Sequence, residues 1–360
     1  MTRFDNPALA ETIASISVPD PRHRAQARSQ LDSLTKPLGS LGRLESIAAQ
    51  VIAIRSGSVD LPLKKAVYVF AADHGIVSEG VSAYPKEVTL QMVMNFLSEG
   101  AAINVLARLH HAELTVIDVG VDATFGDLPG LMHRKVCCGS QNMLFEKAMT
   151  DSQSMTAIDV GLELAWSAHE KQQTLIAVGE MGIGNTTATS AITALLTKQP
   201  VAAVTGKGTG LDDASTKRKI NVIEAVLQRH FGDSRSKPDA LNILQCVGGL
   251  EIAAMTGLFL GAARHRIPMI ADGFISTAAA AMAYAIEPKV KEYILAGHCS
   301  EEPGHHFLLQ YLGLNPILSL EMRLGEGTGA VLAMPIIESA LRLYTEMATF
   351  ASAGVSEAKV

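Results

Sequence analysis

Along the chain the apolar positions change their period near residue 60. Between residues 8 and 57 they fall at helical spacing. Ala27, Leu31 and Leu34 share one face, and Leu44 to Ile54 repeats the pattern after the break TKPLGSLG (35 to 42). From Lys64 the pattern shortens into apolar, partly β-branched runs, KKAVYVFAAD (64 to 73), ELTVIDV (113 to 119), TLIAV (174 to 178), VAAVT (201 to 205) and PMIAD (268 to 272). Such runs predict buried parallel strands. Segments of helical periodicity lie between them, among them Thr89 to His110 and Asn185 to Lys198. Strands alternating with helices predict an α/β fold with a doubly wound parallel sheet and ligands gathered beyond the carboxyl ends of its strands. No internal repeat, low-complexity tract or Pro-rich linker interrupts the pattern, so any second domain is expected from the chain ends.

Composition narrows the function classes. The chain has 360 residues, 48% hydrophobic and 18% charged, enough for a substantial core. Nothing in its net charge of −6 suggests the basic face that a nucleic-acid binder needs to neutralise phosphates. The longest apolar runs, such as Ile275 to Ile286, are interrupted and too short to span a bilayer. The start MTRFDNPALAET lacks the apolar core of a signal peptide. A cytoplasmic protein without membrane or nucleic-acid partners is expected. Its four cysteines, Cys137 and Cys138 adjacent with Cys246 and Cys299 isolated, neither staple a small fold nor space zinc ligands.

Several stretches carry candidate chemistry. In TLIAVGEMGIGNTTATSAITALLT (174 to 197) a strand runs into Gly179, Gly182 and Gly184 around Glu180, and Asn185-Thr186-Thr187 then opens a helix. Backbone N–H groups in such a row suit a phosphate, although the spacing matches neither Walker A nor the dinucleotide fingerprint, and an ordinary helix cap reads equally well. A second glycine loop, TGKGTGLDDAST (205 to 216), offers Lys207 and Lys217 as cations, with Asp212 and Asp213 expected to cap the next helix. Its paired acids lack the flanking residues of the diphosphate-sugar motif. AADHGIVSEGVSAYPKEVTLQMVMNF (71 to 96) places Asp73, His74, Ser82, Tyr84 and Gln91 beyond a strand end, a wall suited to a flat heterocycle, although Asp73 as a simple cap and His74 as a satisfied loop histidine read at least as well. GHCSEEPGHH (297 to 306) offers histidines and acids without recognised metal spacing, so a packed, hydrogen-bonded turn at a domain junction is expected there. Finally, Glu326 stands between Gly325 and Gly327. It is either a solvated acid near a helix start or a reacting group turned into a dry cavity, where its pKa would rise.

Taken in order, LTKPLGSLGRLE (34 to 45), AADHGIVSEGVSAYPKEVT (71 to 89), GEMGIGNTTATSA (179 to 191), GKGTGLDD (206 to 213), VGGLEIAAMTG (247 to 257), ADGFISTAAA (271 to 280), GHCSEEPGH (297 to 305) and RLGEGTGAVLA (323 to 333) resemble the nicotinate-nucleotide:dimethylbenzimidazole phosphoribosyltransferases of cobalamin lower-ligand assembly. Single blocks are weak evidence; eight in order are specific. The resemblance implies a Rossmann-like parallel sheet with helices on both faces over residues 61–299, a smaller helical domain from 1–60 and 300–360, and a homodimer with a site near the subunit boundary. It also implies a reaction. Nicotinate mononucleotide gives its phosphoribosyl group to 5,6-dimethylbenzimidazole, yielding α-ribazole 5′-phosphate and nicotinate with inversion at the sugar C1. By the same resemblance Glu326 is the general base and Glu180 a second, supporting acid. Gly182, Gly184, Asn185, Thr186, Gly206 and Lys217 are expected to grip the phosphate. Ser82, Tyr84, Gln91, Met181 and Leu324 are expected to line the benzimidazole pocket, with Gly325 beside the base. No metal or cofactor is expected, because the cationic ring nitrogen of the mononucleotide leaves as a neutral pyridine. Two places depart from the family pattern: Gly139-Ser140-Gln141-Asn142 where Gly-Thr-x-Asn is expected, and Ser98-Glu99-Gly100 in place of a glycine-rich turn. Competing readings are transfer to another aromatic acceptor, adenine or a phenol, and a non-enzymatic nucleotide-sensing dimer.

Overall fold

The computed structural model describes residues 6–208, 210–232 and 239–356. Thr209 of the second glycine loop lies outside them. Three N-terminal helices, α1 (Pro7–Ser15), α2 (Pro21–Ser33) and α3 (Arg43–Ile54), precede the first strand, as the periodicity requires. Asn6 and Asp20 cap the first two, each accepting a backbone N–H and each followed by proline, which supplies a helical φ and needs no partner for its missing N–H.

Seven strands then form one parallel sheet, β1 (Lys65–Ala72), β2 (Ala112–Gly120), β3 (Leu131–His133), β4 (Leu175–Met181), β5 (Met269–Ala271), β6 (Ile294–Cys299) and β7 (Pro316–Ser319), in the order β3-β2-β1-β4-β5-β6-β7. The chain winds outward in one direction from β1 to β3 and in the other from β4 to β7. The switch therefore lies between β1 and β4, where crossovers leave to opposite sides and open a crevice at the strand ends. Register places Ala71 opposite Asp118 on one side and Met181 on the other, so Asp73-His74 and the glycine row after Met181 emerge side by side.

Burial on both faces explains why the strands read as continuous apolar runs. Within β1, Ala66, Tyr68, Phe70 and Ala72 join one hydrophobic cluster and Val67, Val69 and Ala71 the other. This is the two-residue alternation of a strand sandwiched between helical layers. The first cluster takes in helices α6 (Asp151–Glu170), α7 (Asn185–Thr197), α10 (Ala240–Val247), α11 (Leu250–Arg264), α12 (Phe274–Ile286) and α13 (Pro303–Leu312). The second takes in α2, α3, α5 (Ala102–Leu109) and α14 (Thr328–Glu346). α11 is apolar around nearly its whole circumference and buried from Leu250 to Ala263. It crosses α6 at backbone contact, since a Cβ on Gly257 would stand 2.0 Å from the Ile158 carbonyl oxygen.

The structure corrects two local readings. VAAVT (201 to 205) is not a strand: Val201–Val204 forms a short helix, α8, between α7 and α9 (Asp213–Phe231). Pro200, at φ −56° and an extended ψ of 142°, stands at its N-cap, and so short an apolar run fits a buried helical turn as well as a strand. The segment Thr89 to His110 is two helices, because α4 (Glu87–Leu97) ends at Ser98-Glu99-Gly100, where Glu99 takes φ +59° before α5 begins. β7 falls within residues 300–360 and extends the sheet edge beyond β6. Among the described residues no helix is long and apolar enough to cross a membrane.

Candidate active site

At the carboxyl ends of β4, β5 and β6 lies a cavity of about 350 Å³. Its floor is acidic: Glu180 closes β4, Asp272 follows β5, and Glu326 precedes α14. Glu326 has φ +63° between Gly325 at +84° and Gly327 at +89°, three consecutive left-handed residues. A non-glycine residue in that region costs about 1 kcal/mol or more, and the bend turns its carboxyl inward. The bend also needs Gly179, whose missing side chain admits the loop: a Cβ there would stand 2.2 Å from the Glu326 carbonyl oxygen. Glycines on two separate elements thus jointly place one acid.

Glu326 is 5% exposed and Glu180 7%. The Glu326 carboxyl accepts the Ile103 N–H at 3.3 Å. Burial pushes its pKa up, the Ile103 N–H offsets part of that, and Asp272 adds to the rise. Burial lifts Glu180 to about 8, helped by the charges of Glu251, Asp272 and Glu326 and opposed by a hydrogen bond from the Asn185 side chain. Asp272 is also raised by burial, but His298 and the backbone N–H groups of α14 oppose the rise. Its carboxylate accepts Ala330 N–H at 2.8 Å and Gly327 N–H at 3.2 Å, which ties the acid loop to β5. Glu180 is therefore the acid held neutral at pH 7, while Asp272 takes its partners from a helix N-terminus, where negative charge is favoured.

The other side of the cavity suits an anion. Gly182 to Thr186 bends into α7, with Gly184 at φ +95° as the capping position; the Ile183 and Asn185 N–H groups are taken by Thr89 Oγ1 and the Gly182 carbonyl, and the start of the helix faces the cavity. Lys219, fully buried on α9, donates to Thr186 Oγ1 at 2.8 Å. Burial lowers its pKa to about 8, although Glu302 pulls the other way. Gly182, Asn185, Thr186 and Gly208 line both this cavity and a small adjoining one beside Lys219. Tyr84, Val88, Met92, Met181 and Leu324 form an apolar wall.

Most residues singled out from sequence meet here. Glu180, Met181, Gly182, Asn185, Thr186, Tyr84, Leu324, Gly325 and Glu326 line the main cavity, and Ser82 and Gly184 line the small one. Three do not. Lys217 sits on the outer face of α9, in a shallow surface depression with Arg218 and Asn221. Residues two apart on a helix point about 200° apart, so Lys219 turns inward where Lys217 turns out. Gly206 does not line the cavity; it makes room for Glu302, whose Oε2 would stand 2.2 Å from a Cβ there. Gln91 is exposed beside Val88 and Met92, the α4 residues that do line the cavity. Asp212 caps α9, accepting Ser215 N–H at 2.7 Å. Sequence reasoning missed Lys219, Asp272 and Arg323 as site residues. An acid ending a strand run was the available signal for Asp272, and helical phase the one for Lys219.

In the stretch 297 to 306, His305 Nδ1 accepts Ser300 N–H at 2.9 Å and its Nε2 meets Thr277 Oγ1 at 3.0 Å. His298 lines the main cavity. Among the described residues no group of three or more His, Cys, Asp and Glu is placed to hold a metal ion.

An open parallel sheet whose switch-point crevice joins a helix-terminal glycine row and a buried lysine to buried acids fits a class, α/β enzymes acting on phosphorylated small molecules. A family model described as "Phosphoribosyltransferase" matches residues 16–355. The chain belongs to the nicotinate-nucleotide:dimethylbenzimidazole phosphoribosyltransferase family. It is similar to the protein of that name from Geobacter metallireducens, 51% identical over 98% of this chain and 99% of that protein. A relative of the same name from Chloroflexus aggregans is 50% identical over 98% and 99% of the two. The crystal structure of the Thermus thermophilus protein of that name superposes with TM-score 0.88 at 44% identity, covering 94% of this chain and 100% of that one.

Proposed function

We propose that this protein transfers the phosphoribosyl group of nicotinate mononucleotide to 5,6-dimethylbenzimidazole, giving α-ribazole 5′-phosphate and nicotinate. The observation that carries this reading is the buried Glu326, raised in pKa, in one cavity with a helix-terminal glycine row and a buried lysine. The phosphate lies along Gly182 to Thr186 against Lys219. The benzimidazole stacks on the wall of Tyr84, Met181 and Leu324. Its unprotonated nitrogen attacks C1 of the ribose on the face opposite nicotinate. The C1–N bond to nicotinate breaks with its electron pair returning to the ring nitrogen, which leaves neutral. The proton on the acceptor's other nitrogen passes to Glu326 as its base. Neutral Glu180 sits against Gly325 and donates a hydrogen bond into the site, while the buried acids favour the cationic ring of the mononucleotide. Catalysis is then positioning, desolvation and one proton transfer.

The test is a product assay with both substrates in EDTA, following nicotinate and α-ribazole phosphate by chromatography. Stoichiometric release of both is expected. A flat apolar wall discriminates weakly between similar rings, so adenine and phenols are run alongside. Faster turnover with either would transfer the assignment to that acceptor, and binding of the mononucleotide without any product would favour a sensor.

We also propose that the molecule is a homodimer closing over this cavity. Tyr84 is 50% exposed and Leu324 56%, apolar side chains standing open at the cavity wall. Sedimentation equilibrium should give twice the chain mass; a monomer at micromolar concentration would rule this out.

A further inference from the structure

Behind the glycine row lies an ion pair that the proposed chemistry does not use. His74 Nε2 stands 2.6 Å from Glu251 Oε1, with both side chains sealed from solvent. Burying such a pair is costly and is weak evidence for stability. The surrounding backbone is nonetheless shaped to accept it. A Cβ on Gly249, which caps α11, would stand 2.3 Å from His74 Cε1 and 2.8 Å from Glu251 Oε2. A Cβ on Gly182, in the anion row itself, would stand 3.4 Å from His74 Cδ2 and 3.5 Å from Glu251 Oε1. The row therefore rests directly on the pair. A second tie holds it in place, since Ile183 N–H donates to Thr89 Oγ1 at 3.1 Å. Glu251 Oε2 has no hydrogen-bond partner among the described residues.

We propose that the His74–Glu251 ion pair is a positioning device for the reaction, setting the charge and the placement of Glu180 from behind the glycine row.

The groups facing Glu180 come from several elements: Glu251 on α11, Asp272 after β5, Glu326 before α14, and the Asn185 amide at the start of α7. His298, on β6, lines the same cavity. Among the charges, Glu251 contributes most to the rise of Glu180, exceeding Asp272 and Glu326. Glu251 sits in the first turn of α11, where the helix terminus favours a carboxylate. Burial alone would discharge the His74 imidazole; the charges of Glu251 and Asp73 overcome it and raise its pKa. The pair thus presents a fixed carboxylate to the back of the row. Burial comes first in keeping Glu180 protonated and the Glu251 carboxyl adds to it, so removing Glu251 should let Glu180 ionise at a lower pH and meet Glu326 as a second anion there.

The inference rests on the placing of Glu180 in the reacting site, so its test has a readout independent of turnover. Difference infrared spectra of wild type against Glu180→Gln isolate the Glu180 carboxyl band across pH. In wild type the protonated band should persist to about pH 8. In Glu251→Gln it should vanish about one pH unit lower or more, and the alkaline limb of the kcat profile should move down with it. KM for the mononucleotide should change by less than about threefold, since no phosphate contact is lost. A folded Glu251→Gln protein with an unmoved band and limb overturns the proposal. If that variant does not fold, Glu251→Asp, which draws the charge back by one methylene, must displace both readouts; no displacement in either overturns it. A displaced band with turnover insensitive to Glu180→Gln would support the coupling and remove Glu180 from the reacting site.

Discussion

Replacing Glu326 by glutamine lowers kcat by about 10²-fold or more, the usual contribution of a positioned base, while the mononucleotide still binds. The side chain is buried at 5% exposure, and glutamine keeps its size and its ability to accept the Ile103 N–H. What it loses is the capacity to take a proton. Chromatographic product analysis with wild type and Glu326→Gln side by side is the measurement, with equilibrium binding of the mononucleotide as control. Full turnover in the variant would remove Glu326 from the chemistry. The pH dependence supplies a sign. Glu326 must be ionised to act, and its pKa is raised by burial, so activity should climb through a limb above the ordinary carboxylate range. Stability runs the other way. A carboxyl with a folded pKa above its unfolded value favours the folded state below the unfolded value, and that advantage is lost as pH rises through the folded one. Glu326→Gln should therefore melt higher than wild type at pH 8, with the gap shrinking toward pH 5. That separates lost catalysis from lost folding.

Lys219→Met weakens mononucleotide binding by about 10- to 100-fold, the value of a hydrogen bond to a charged group, and Lys217→Ala changes it by less than about twofold. Both lysines lie on α9, and a reading based on charge alone treats them as equivalent. Lys219 is fully buried with its ammonium on Thr186, whereas Lys217 lies on the outer face. Because burial depresses Lys219 to about 8, the ligand-free protein begins to lose this cation near that pH. Affinity should accordingly fall above pH 8, and binding there should draw in a proton. Glu302 complicates the variant in an informative way. Its carboxyl is raised by burial, and Lys219 and Arg323 oppose that rise, so Lys219→Met removes one of the two cations that favour its charged form. Adding Glu302→Gln should restore the melting temperature but not the affinity. Isothermal titration and thermal melts of the single and double variants decide this. Equal losses from Lys217 and Lys219 would place the phosphate elsewhere.

Much of the architecture is local enough to be legible in the sequence. β1, β2 and β4 each carry a long apolar run, because a parallel strand buried on both faces has no polar side to interrupt it. The glycine row after β4 and the Gly325-Glu326-Gly327 bend also announce themselves, since left-handed backbone and close approach admit few other residues. Ordered motif blocks supplied the family and the acids proposed to react. β3, β6 and β7 were not legible. They are short edge or near-edge strands, one interrupted by Gly297-His298 and one beginning with a proline, and their pairing comes from the sheet they join. For the same reason Val201 to Thr205 could be read as a strand, since a short apolar run does not state whether a ladder awaits it.

Local pattern and motif order thus specify a doubly wound parallel sheet, its family, and a set of acids and glycines near strand ends. Which of them share one cavity follows from packing alone. Gly179 and Glu326 lie far apart along the chain, yet the first must be glycine for the second to turn inward. The choice of Lys219 over Lys217 depended on which face of α9 meets α7. The neutral state of Glu180 depended first on its burial and then on carboxylates delivered by α11, by β5 and by the loop before α14. Charge and proximity across elements are properties of the assembled fold, and sequence spacing encodes them only within a single helix or strand.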